Sequence, residues 1–243
     1  MSDLLAFFVF NYSYIYHNMK RHAIIVAGGS GQRMKSIVPK QFLELNQKPV
    51  LMHTIEKFYC ASSSIHIVVV LPKSHHSVWT TLCDKHQFNI PHQICEGGST
   101  RFQSVKNGLV HCKEDGIIAV HDGVRPLIHP DLIQKLYHEA ESNSAVIPVY
   151  PVLESIRKSD EEGSKALDRS KYYIVQTPQC YSSELLQNAY QQDEKETFTD
   201  DASVVEAMGK EVQQFKGDRT NIKLTTPEDF VLAEALLNHP KNI

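Results

Sequence analysis

A glycine-rich loop and two cations follow the first apolar run of the sequence, and together they are suited to binding phosphate. Glycine lets backbone N–H groups approach a phosphate closely, and neighbouring cations offset its charge. The loop has neither the G-K-[ST] ending of a P-loop nor the third glycine of the dinucleotide-binding fingerprint. Two cations on a loop after a strand suit a triphosphate, and a tight turn with two solvated cations is the alternative. The residues are Ala27, Gly28, Gly29, Gly31, Arg33 and Lys40.

Apolar, β-branched runs alternate with helical spacings along residues 22–149. This alternation predicts an α/β fold, with a Rossmann-like, mostly parallel sheet and helices on both faces. The glycine-rich loop then lies at the carboxyl end of the first strand, where open α/β sheets bind ligands. The predicted strands are His22–Ala27, Ile65–Leu71, Gln93–Cys95, Ile117–His121, Ala145–Val149 and Val212–Phe215. The predicted helices are Val50–Tyr59, Val78–His86, Arg101–Cys112, Asp131–Glu141, Ser183–Tyr190, Ala202–Met208 and Pro227–Leu237.

The alternation breaks at about residue 150, where two extended stretches flank a polar segment. We interpret Pro151–Lys158 and Lys171–Gln176 as a β-arm with a polar hinge between them, so the arm covers about residues 150–177. Apolar residues of such an arm are buried only against a partner, which favours a homodimer through the arm. A surface hairpin folded back on its own subunit is the alternative. Residues 19–243 are otherwise expected to form a single domain.

Composition limits the classes of partner and the compartment. The formal net charge is −3, which excludes a nucleic-acid binder that works by bulk positive charge. Five cysteines without a C-x-x-C pair favour a reducing, cytoplasmic location. Residues 1–18 have an apolar run too short to cross a membrane and no basic region before it. We expect them to be a mis-called start or a loosely attached extension outside the domain, with a membrane-surface anchor as the alternative.

Further short motifs continue after the glycine-rich loop. They are Pro39–Gln41 (PKQ), Gly97–Arg101 (GGSTR), His121–Pro126 (HDGVRP), Asp168–Arg169, Thr177–Gln179 (TPQ), Thr199–Ser203 (TDDAS) and Asn221–Thr225 (NIKLT). Together with the loop they resemble the 2-C-methyl-D-erythritol 4-phosphate cytidylyltransferase family of the non-mevalonate isoprenoid pathway, over Lys20 to about Asn238. Two positions depart from the family pattern. Gly123 stands where the family usually has Ala, and Thr220 stands where many members have an acid.

The resemblance implies a reaction and a set of catalytic cations. A phosphate oxygen of methylerythritol phosphate attacks the α-phosphorus of CTP, and pyrophosphate leaves. Such transfer depends on positioning and electrostatic stabilisation, so no protein nucleophile is expected. The resemblance assigns catalysis to Arg33, Lys40, Arg169 and Lys223.

Binding roles follow from the same resemblance. Asp122 is expected either to bind Mg²⁺ or a substrate hydroxyl, or to orient Arg125 through a salt bridge. Mg²⁺ would need only this one acid, because it binds mainly through the phosphates of the substrate. The substrate-binding residues implied are Asp122, Arg125, Ser155, Arg169 and Lys223, with Ser155 and Arg169 reaching the site of a neighbouring subunit.

Recognition of cytosine requires an acceptor for its exocyclic amine, and backbone carbonyls of the second loop can supply it. The residues implied for nucleotide binding there are Gly98, Ser99, Arg101, Ser104 and Gly123, in addition to the first glycine-rich loop. A plain helix N-terminus capped by Ser99 or Thr100 is the alternative.

Two other functions remain open at this point. A ribitol-5-phosphate cytidylyltransferase would share the fold and the nucleotide, but the pair Asp168–Arg169 and the spacing of Arg101 and Ser104 argue against it. A non-catalytic nucleotide-binding protein on this fold would be expected to lack Lys40 or Lys223, and the sequence has both.

Overall fold

The computed structural model describes residues 19–29, 38–161 and 163–238. The predicted extension 1–18, and the site residues Gly31 and Arg33, lie outside the described residues. In chain order the strands are β1 (Lys20–Val26), β2 (Glu44–Leu45), β3 (Lys48–Pro49), β4 (His66–Leu71), β5 (Gln93–Glu96), β6 (Gly116–Asp122), β7 (Ala145–Pro151), β8 (Arg157–Asp160), β9 (Gly163–Ala166), β10 (Tyr173–Val175), β11 (Gln179–Ser182) and β12 (Gln213–Lys216). The α-helices are α1 (Val50–Ala61), α2 (His76–Lys85), α3 (Arg101–Leu109), α4 (Pro130–Asn143), α5 (Ser183–Ala189), α6 (Asp201–Glu206) and α7 (Pro227–Asn238).

The main sheet has the order β10-β7-β11-β6-β1-β4-β5 among the described strands, and β12 pairs with β7. The strands β6, β1, β4 and β5 are mutually parallel, whereas β10 and β11 run antiparallel to their neighbours. Val26 is paired with Val70 on one side and with Asp122 on the other. The carboxyl ends of β1, β4 and β6 therefore lie side by side, which confirms the predicted α/β class and places the glycine-rich loop at this edge.

Helices cover both faces of the sheet, because side chains along a strand point alternately to the two sides. Ala23 and Ile25 of β1 belong to a buried cluster that includes Phe58 of α1 and Tyr137 of α4. Ile24, between them, belongs to the cluster on the other face, with residues of α3, α5 and α6. Ala23, Ile24 and Ile25 are fully buried, and each such aliphatic side chain as large as Ile stabilises the fold by roughly 1.5–3 kcal/mol.

Strand β11 is a part of the core that the hydrophobic pattern does not predict. Its sequence, QCYS, has no apolar run, yet Gln179, Cys180 and Tyr181 are buried between β6 and β7. Both polar atoms of the Gln179 amide are hydrogen-bonded, since its Nε2 donates to Asp200 Oδ2 at 2.8 Å and its Oε1 accepts from Ala202 N at 2.9 Å. A polar side chain satisfied by tertiary contacts has no signature in hydrophobic patterning.

The arm differs from its prediction in internal structure. The polar segment expected to be a hinge forms the β8–β9 hairpin, a separate two-stranded sheet whose strands are exposed. Gly163 follows the turn with φ +128°, a conformation that favours glycine. The ends of the predicted range belong instead to the main sheet, because Tyr173–Val175 pairs with residues 149–151. The arm proper is therefore residues 152–172.

Within the described residues, none of the helices has the length and apolar character needed to cross a membrane.

Candidate active site

Two cavities adjoin at the carboxyl edge of the sheet. The larger, of about 380 Å³, lies over the ends of β1 and β6, and the smaller, of about 290 Å³, lies between β6 and the segment leading into β11. Arg101, Asp122 and Lys223 line both cavities. The larger cavity is also lined by the predicted residues Ala27, Gly28, Gly29, Lys40, Gly98, Ser99 and Ser104. The smaller is also lined by Arg125, Gln176, Thr177, Gln179, Thr199 and Asp200.

The glycine-rich loop is held by the residues that follow it. The N–H of Ala27 donates to Val70 O at 2.9 Å, which continues the β1–β4 pairing by one residue. Gln41 is buried, and its Nε2 donates to Ala27 O at 2.8 Å. Lys40 is 9% exposed, and its Nζ donates to Leu224 O at 3.3 Å. The P-K-Q segment thus fixes the start of the loop with Gln41 and directs a buried ammonium towards the cavity with Lys40.

The second loop is shaped by a hydroxyl and a glycine. Ser104 Oγ accepts from Gly98 N at 3.1 Å and donates to Thr100 O at 2.8 Å, so this buried side chain folds the loop over the start of α3. A Cβ on Gly98 would lie 2.3 Å from Gln103 Cβ, so only glycine fits there. Thr100 is the N-cap of α3, as its Oγ1 accepts from Gln103 N at 3.1 Å. The cap considered as an alternative is therefore present alongside the cavity-lining backbone of Gly98 and Ser99.

Asp122 is the centre of a cluster of cations. Its Oδ2 lies 3.1 Å from both Arg125 Nε and Lys223 Nζ, and its Oδ1 lies 4.0 Å from Arg101 Nε. Burial alone would raise the pKa of Asp122, but Lys223, Arg101 and Arg125 together outweigh burial and hold it well below its usual range. The carboxylate is therefore ionised, and it holds cations of three different segments at the wall between the cavities.

Asp201, a residue to which the sequence analysis assigned no role, holds the guanidinium of Arg101 in place. Nη1 and Nη2 of Arg101 donate to the two oxygens of Asp201 at 3.0 and 2.6 Å. Asp201 is fully buried at the start of α6 and also accepts from Tyr190 Oη at 2.6 Å. Burial would lower the pKa of Arg101, but Asp201 raises it, so the guanidinium stays charged. The T-D-D-A-S motif contained the signal, but only the fold brings Asp201 against Arg101.

A buried polar network supports the ends of β6 and of the loop that carries Lys223. Thr177 Oγ1 accepts from Asp122 N at 3.1 Å and lies 3.0 Å from His121 Nδ1. Asn221 Nδ2 donates to Thr177 O at 2.8 Å, and Arg125 Nη1 donates to Asn221 O at 2.9 Å. Burial lowers the pKa of His121 to about 4, so its ring is neutral at pH 7.

Three of the predicted residues lie apart from the cavities. Ser155 and Arg169 are exposed on the arm, and Arg169 Nη1 donates to Leu153 O. Neither residue lines the cavities of its own subunit. Gly123 donates its N–H to Val26 O at 2.9 Å and so joins β6 to β1 below the cavity floor.

These features define the class of the protein. A Rossmann-like sheet with a glycine-rich loop, a buried lysine and a carboxylate clustered with cations at its carboxyl edge is the arrangement of an α/β nucleotidyltransferase. The sequence model of the family described as 2-C-methyl-D-erythritol 4-phosphate cytidylyltransferase matches residues 21–239, and the chain belongs to this family. It is thus a cytidylyltransferase, as the resemblance of its motifs predicted.

Individual relatives agree with this membership. The chain is 52% identical over 219 residues to the 2-C-methyl-D-erythritol 4-phosphate cytidylyltransferase of Phocaeicola vulgatus, covering 90% of this chain and 100% of the relative. It is 49% identical to that of Porphyromonas gingivalis, covering 90% and 98%.

Solved structures are similar as well. The crystal structure of the Thermus thermophilus enzyme of the same name has a TM-score of 0.74 at 28% identity, over 90% of this chain and 100% of that one. The 4-diphosphocytidyl-2C-methyl-D-erythritol synthase of Anaerococcus prevotii has a TM-score of 0.76 at 26% identity, over 90% and 99%.

Proposed function

We propose that this chain transfers the cytidylyl group of CTP to 2-C-methyl-D-erythritol 4-phosphate, in the biosynthesis of isoprenoid precursors. The products are 4-diphosphocytidyl-2-C-methyl-D-erythritol and pyrophosphate. The observation that carries the proposal is the shared wall of Arg101, Asp122 and Lys223 between two cavities. A reaction that joins two phosphorylated molecules needs two adjoining sites with cations where they meet.

The larger cavity is assigned to CTP. Its triphosphate lies against the glycine-rich loop, where Gly28 and Gly29 offer backbone and Lys40 offers a buried ammonium. The base lies against the second loop, whose backbone at Gly98 and Ser99 can supply the acceptor that the exocyclic amine of cytosine requires. Arg33, by family resemblance, adds a second cation to the triphosphate.

The smaller cavity is assigned to the polyol phosphate. Arg125 and Lys223 supply positive charge there, and the side chains of Gln176 and Thr177 offer polar partners for hydroxyls. Asp122 holds both cations in place, which supports the orienting role expected for it. Its lowered pKa also makes it a poor proton acceptor at neutral pH.

The chemical step depends on electrostatic stabilisation of negative charge rather than on proton transfer. An oxygen of the substrate phosphate, already largely ionised because its second pKa is about 6, forms a bond to the α-phosphorus. The bond from the α-phosphorus to the bridging oxygen breaks, and the electron pair leaves with pyrophosphate. Lys223 and Lys40 stabilise the negative charge that grows on the transferred and leaving groups.

A divalent cation, Mg²⁺ by preference, is part of the proposal. Among the described residues, no three His, Cys, Asp or Glu side chains are grouped to hold a metal. A single carboxylate still fits, because the two short ion pairs of Asp122 are made by Oδ2, whereas Oδ1 has only the 4.0 Å ion pair to Arg101 Nε. Oδ1 could ligate an ion whose other ligands are phosphates and water. The ion would neutralise charge on the triphosphate when bound.

The arm completes the proposal as a dimerisation element. Its base carries large apolar side chains that are 40–46% exposed in the isolated chain: Leu153, Tyr172, Tyr173, Ile174 and Val175. A second copy of the chain would cover them, and it would bring the exposed Ser155 and Arg169 towards the neighbouring substrate site. A cytoplasmic location is consistent with five cysteines that are all free.

The substrate pair is tested by measuring pyrophosphate release with each nucleotide and each polyol phosphate in turn. CTP with 2-C-methyl-D-erythritol 4-phosphate should be used far better than UTP or ATP, or than ribitol 5-phosphate. Equal turnover with UTP would remove the cytidylyl assignment, and preference for ribitol 5-phosphate would remove the polyol assignment.

A further inference from the structure

A pair of histidines lies at the amino ends of β1 and β4, on the edge of the sheet away from the candidate active site. His22 and His66 are direct partners in the parallel register. Their Nδ1 atoms are 3.2 Å apart, and the two rings are nearly perpendicular, at 88°. His22 is 3% exposed, whereas His66 is on the surface. The pair therefore has one rigid member and one accessible member.

The hydrogen bonds around His22 determine where its proton is. Its Nε2 lies 3.1 Å from Glu114 O, and a carbonyl only accepts, so Nε2 carries the hydrogen. In the neutral ring Nδ1 then has a free lone pair that points to His66. Burial, and next the adjacent His66, lower the pKa of His22, which keeps the ring neutral. His66 consequently supplies the hydrogen shared between the two Nδ1 atoms.

The separation of the two Nδ1 atoms is that of a metal-binding pair. Two imidazole nitrogens bound to one tetrahedral ion at about 2.0–2.1 Å are about 3.3 Å apart, close to the observed 3.2 Å. A metal-bound histidine commonly donates its other ring N–H to a backbone carbonyl, as His22 does to Glu114 O. The pair also opens into a cavity of about 330 Å³, lined further by Gln93, His111, Lys113 and Glu114, with room for water.

We propose that His22 and His66 bind one divalent transition-metal ion of the zinc, nickel or copper type through their Nδ1 atoms, with water completing the coordination. These ions prefer imidazole nitrogen, unlike Mg²⁺, which prefers oxygen. On binding, the hydrogen of His66 moves from Nδ1 to the exposed Nε2, so the tautomer changes and no net proton is released. The ion would take the place that His66 Nδ1 now has on the lone pair of His22, so the exposed ring of His66 must move aside and turn its Nδ1 to the ion.

Such an ion would link the amino ends of β1 and β4, whereas the candidate active site lies at their carboxyl ends. It would stabilise the folded state, because a ligand that binds only that state raises the free energy of unfolding. It would not take part in cytidylyl transfer, whose residues lie at the carboxyl ends of the same strands. The inference is therefore independent of the proposed function.

The test is titration of the full-length chain, without a histidine tag, with Zn²⁺ alone by calorimetry. The matched variants are His66→Ala and His138→Ala, which removes an exposed histidine of α4. Wild type and His138→Ala should bind one equivalent, and His66→Ala should bind it at least about tenfold more weakly. Zn²⁺ should raise Tm in the first two proteins only, and Cu²⁺ should show electron-spin-resonance splitting from two nitrogens.

Equal affinity in the His66→Ala variant, or a Cu²⁺ spectrum without nitrogen splitting, would overturn the metal site. Pyrophosphate release by His66→Ala should equal that of wild type, because His66 lies outside both cavities. Failure of the proposed cytidylyl transfer would leave the metal titration unaffected, so the two outcomes are distinguishable.

Discussion

Lys223 Nζ lies 3.1 Å from Oδ2 of Asp122, so a cation on the loop before α7 is held by a carboxylate at the end of β6. The loop is fixed at this position by Leu224, whose N–H donates to Val124 O at 2.9 Å and whose carbonyl accepts from Lys40 Nζ. Two lysines from distant parts of the chain are therefore mutually positioned before any nucleotide binds. Preorganised charge of this kind is what phosphoryl transfer requires.

Removal of either lysine should lower kcat while leaving the fold intact. Lys40→Ala and Lys223→Ala are each expected to lower kcat about 10²–10³-fold, the range for loss of one preorganised donor. Steady-state kinetics checks this, with Lys135→Ala, an exposed cation of α4, as the matched control. A raised KM with unchanged kcat would show that the lysines only bind substrate.

Asp201 should position Arg101, and its loss should affect both stability and nucleotide binding. Asp201→Asn removes the carboxylate that holds the partly exposed guanidinium of Arg101, which should cost about 1.5–3 kcal/mol of unfolding free energy and raise KM for CTP. Tyr190→Phe removes only the hydroxyl bonded to Asp201 and should cost about 1–2 kcal/mol. Urea unfolding of both variants checks that Asp201→Asn loses more unfolding free energy than Tyr190→Phe, and steady-state kinetics gives KM for CTP. An unchanged KM for CTP in Asp201→Asn would contradict the positioning role.

His121 should make the fold acid-sensitive. Its pKa falls from 6.5 to about 4 on folding, so between these pH values the unfolded chain binds more protons than the folded one. Stability from this group is therefore complete above pH 6.5 and is lost as pH falls towards 4, by roughly 3 kcal/mol in total.

Urea unfolding at neutral pH and near pH 4.5 measures this loss, with His121→Gln as the comparison. Other histidines with lowered pKa, such as His53 and His92, contribute to the slope in both proteins and cancel. The variant should lose less stability on acidification, and equal slopes would show that His121 is not the group that titrates.

Arg169 should act on the site of the neighbouring subunit if the arm forms the dimer. Arg169→Ala and Lys40→Ala, each inactive alone, are mixed under conditions that allow subunit exchange. Each heterodimer then has one site with both changes and one with neither. Random exchange gives half heterodimers, so activity should recover to roughly one quarter of wild type per total site. A mixture that stays inactive would place Arg169 in its own subunit's site.

Much of the candidate site could be predicted from short motifs, because the elements that we propose bind phosphate are local. The glycine-rich loop begins directly after β1, and the segment from Gly98 to Ser104 begins two residues after β5. An apolar run followed by glycine predicts both the strand and its end. The α/β class can be predicted in the same way, because each strand and each helix has its own apolar pattern within a short stretch of consecutive residues.

Other features depend on contacts between segments that are distant in the chain. Strand β11 has no apolar run. Its Gln179 can be buried nevertheless, because Asp200 and Ala202 supply hydrogen-bond partners for its amide. The role of Asp201 likewise depends on meeting Arg101 across the fold. A buried polar side chain gives no periodic signal in the sequence, and its hydrogen-bond or ion-pair partner depends on how distant segments pack.

The sequence by itself determined the class of fold and the family, and it pointed to most of the residues that line the cavities. Only the tertiary structure decided that Asp122 is surrounded by three cations and that the cations line two cavities. The reason is physical: periodicity reports which face of an element is apolar, whereas the distance between charges and the pKa of a carboxylate depend on three-dimensional position and burial.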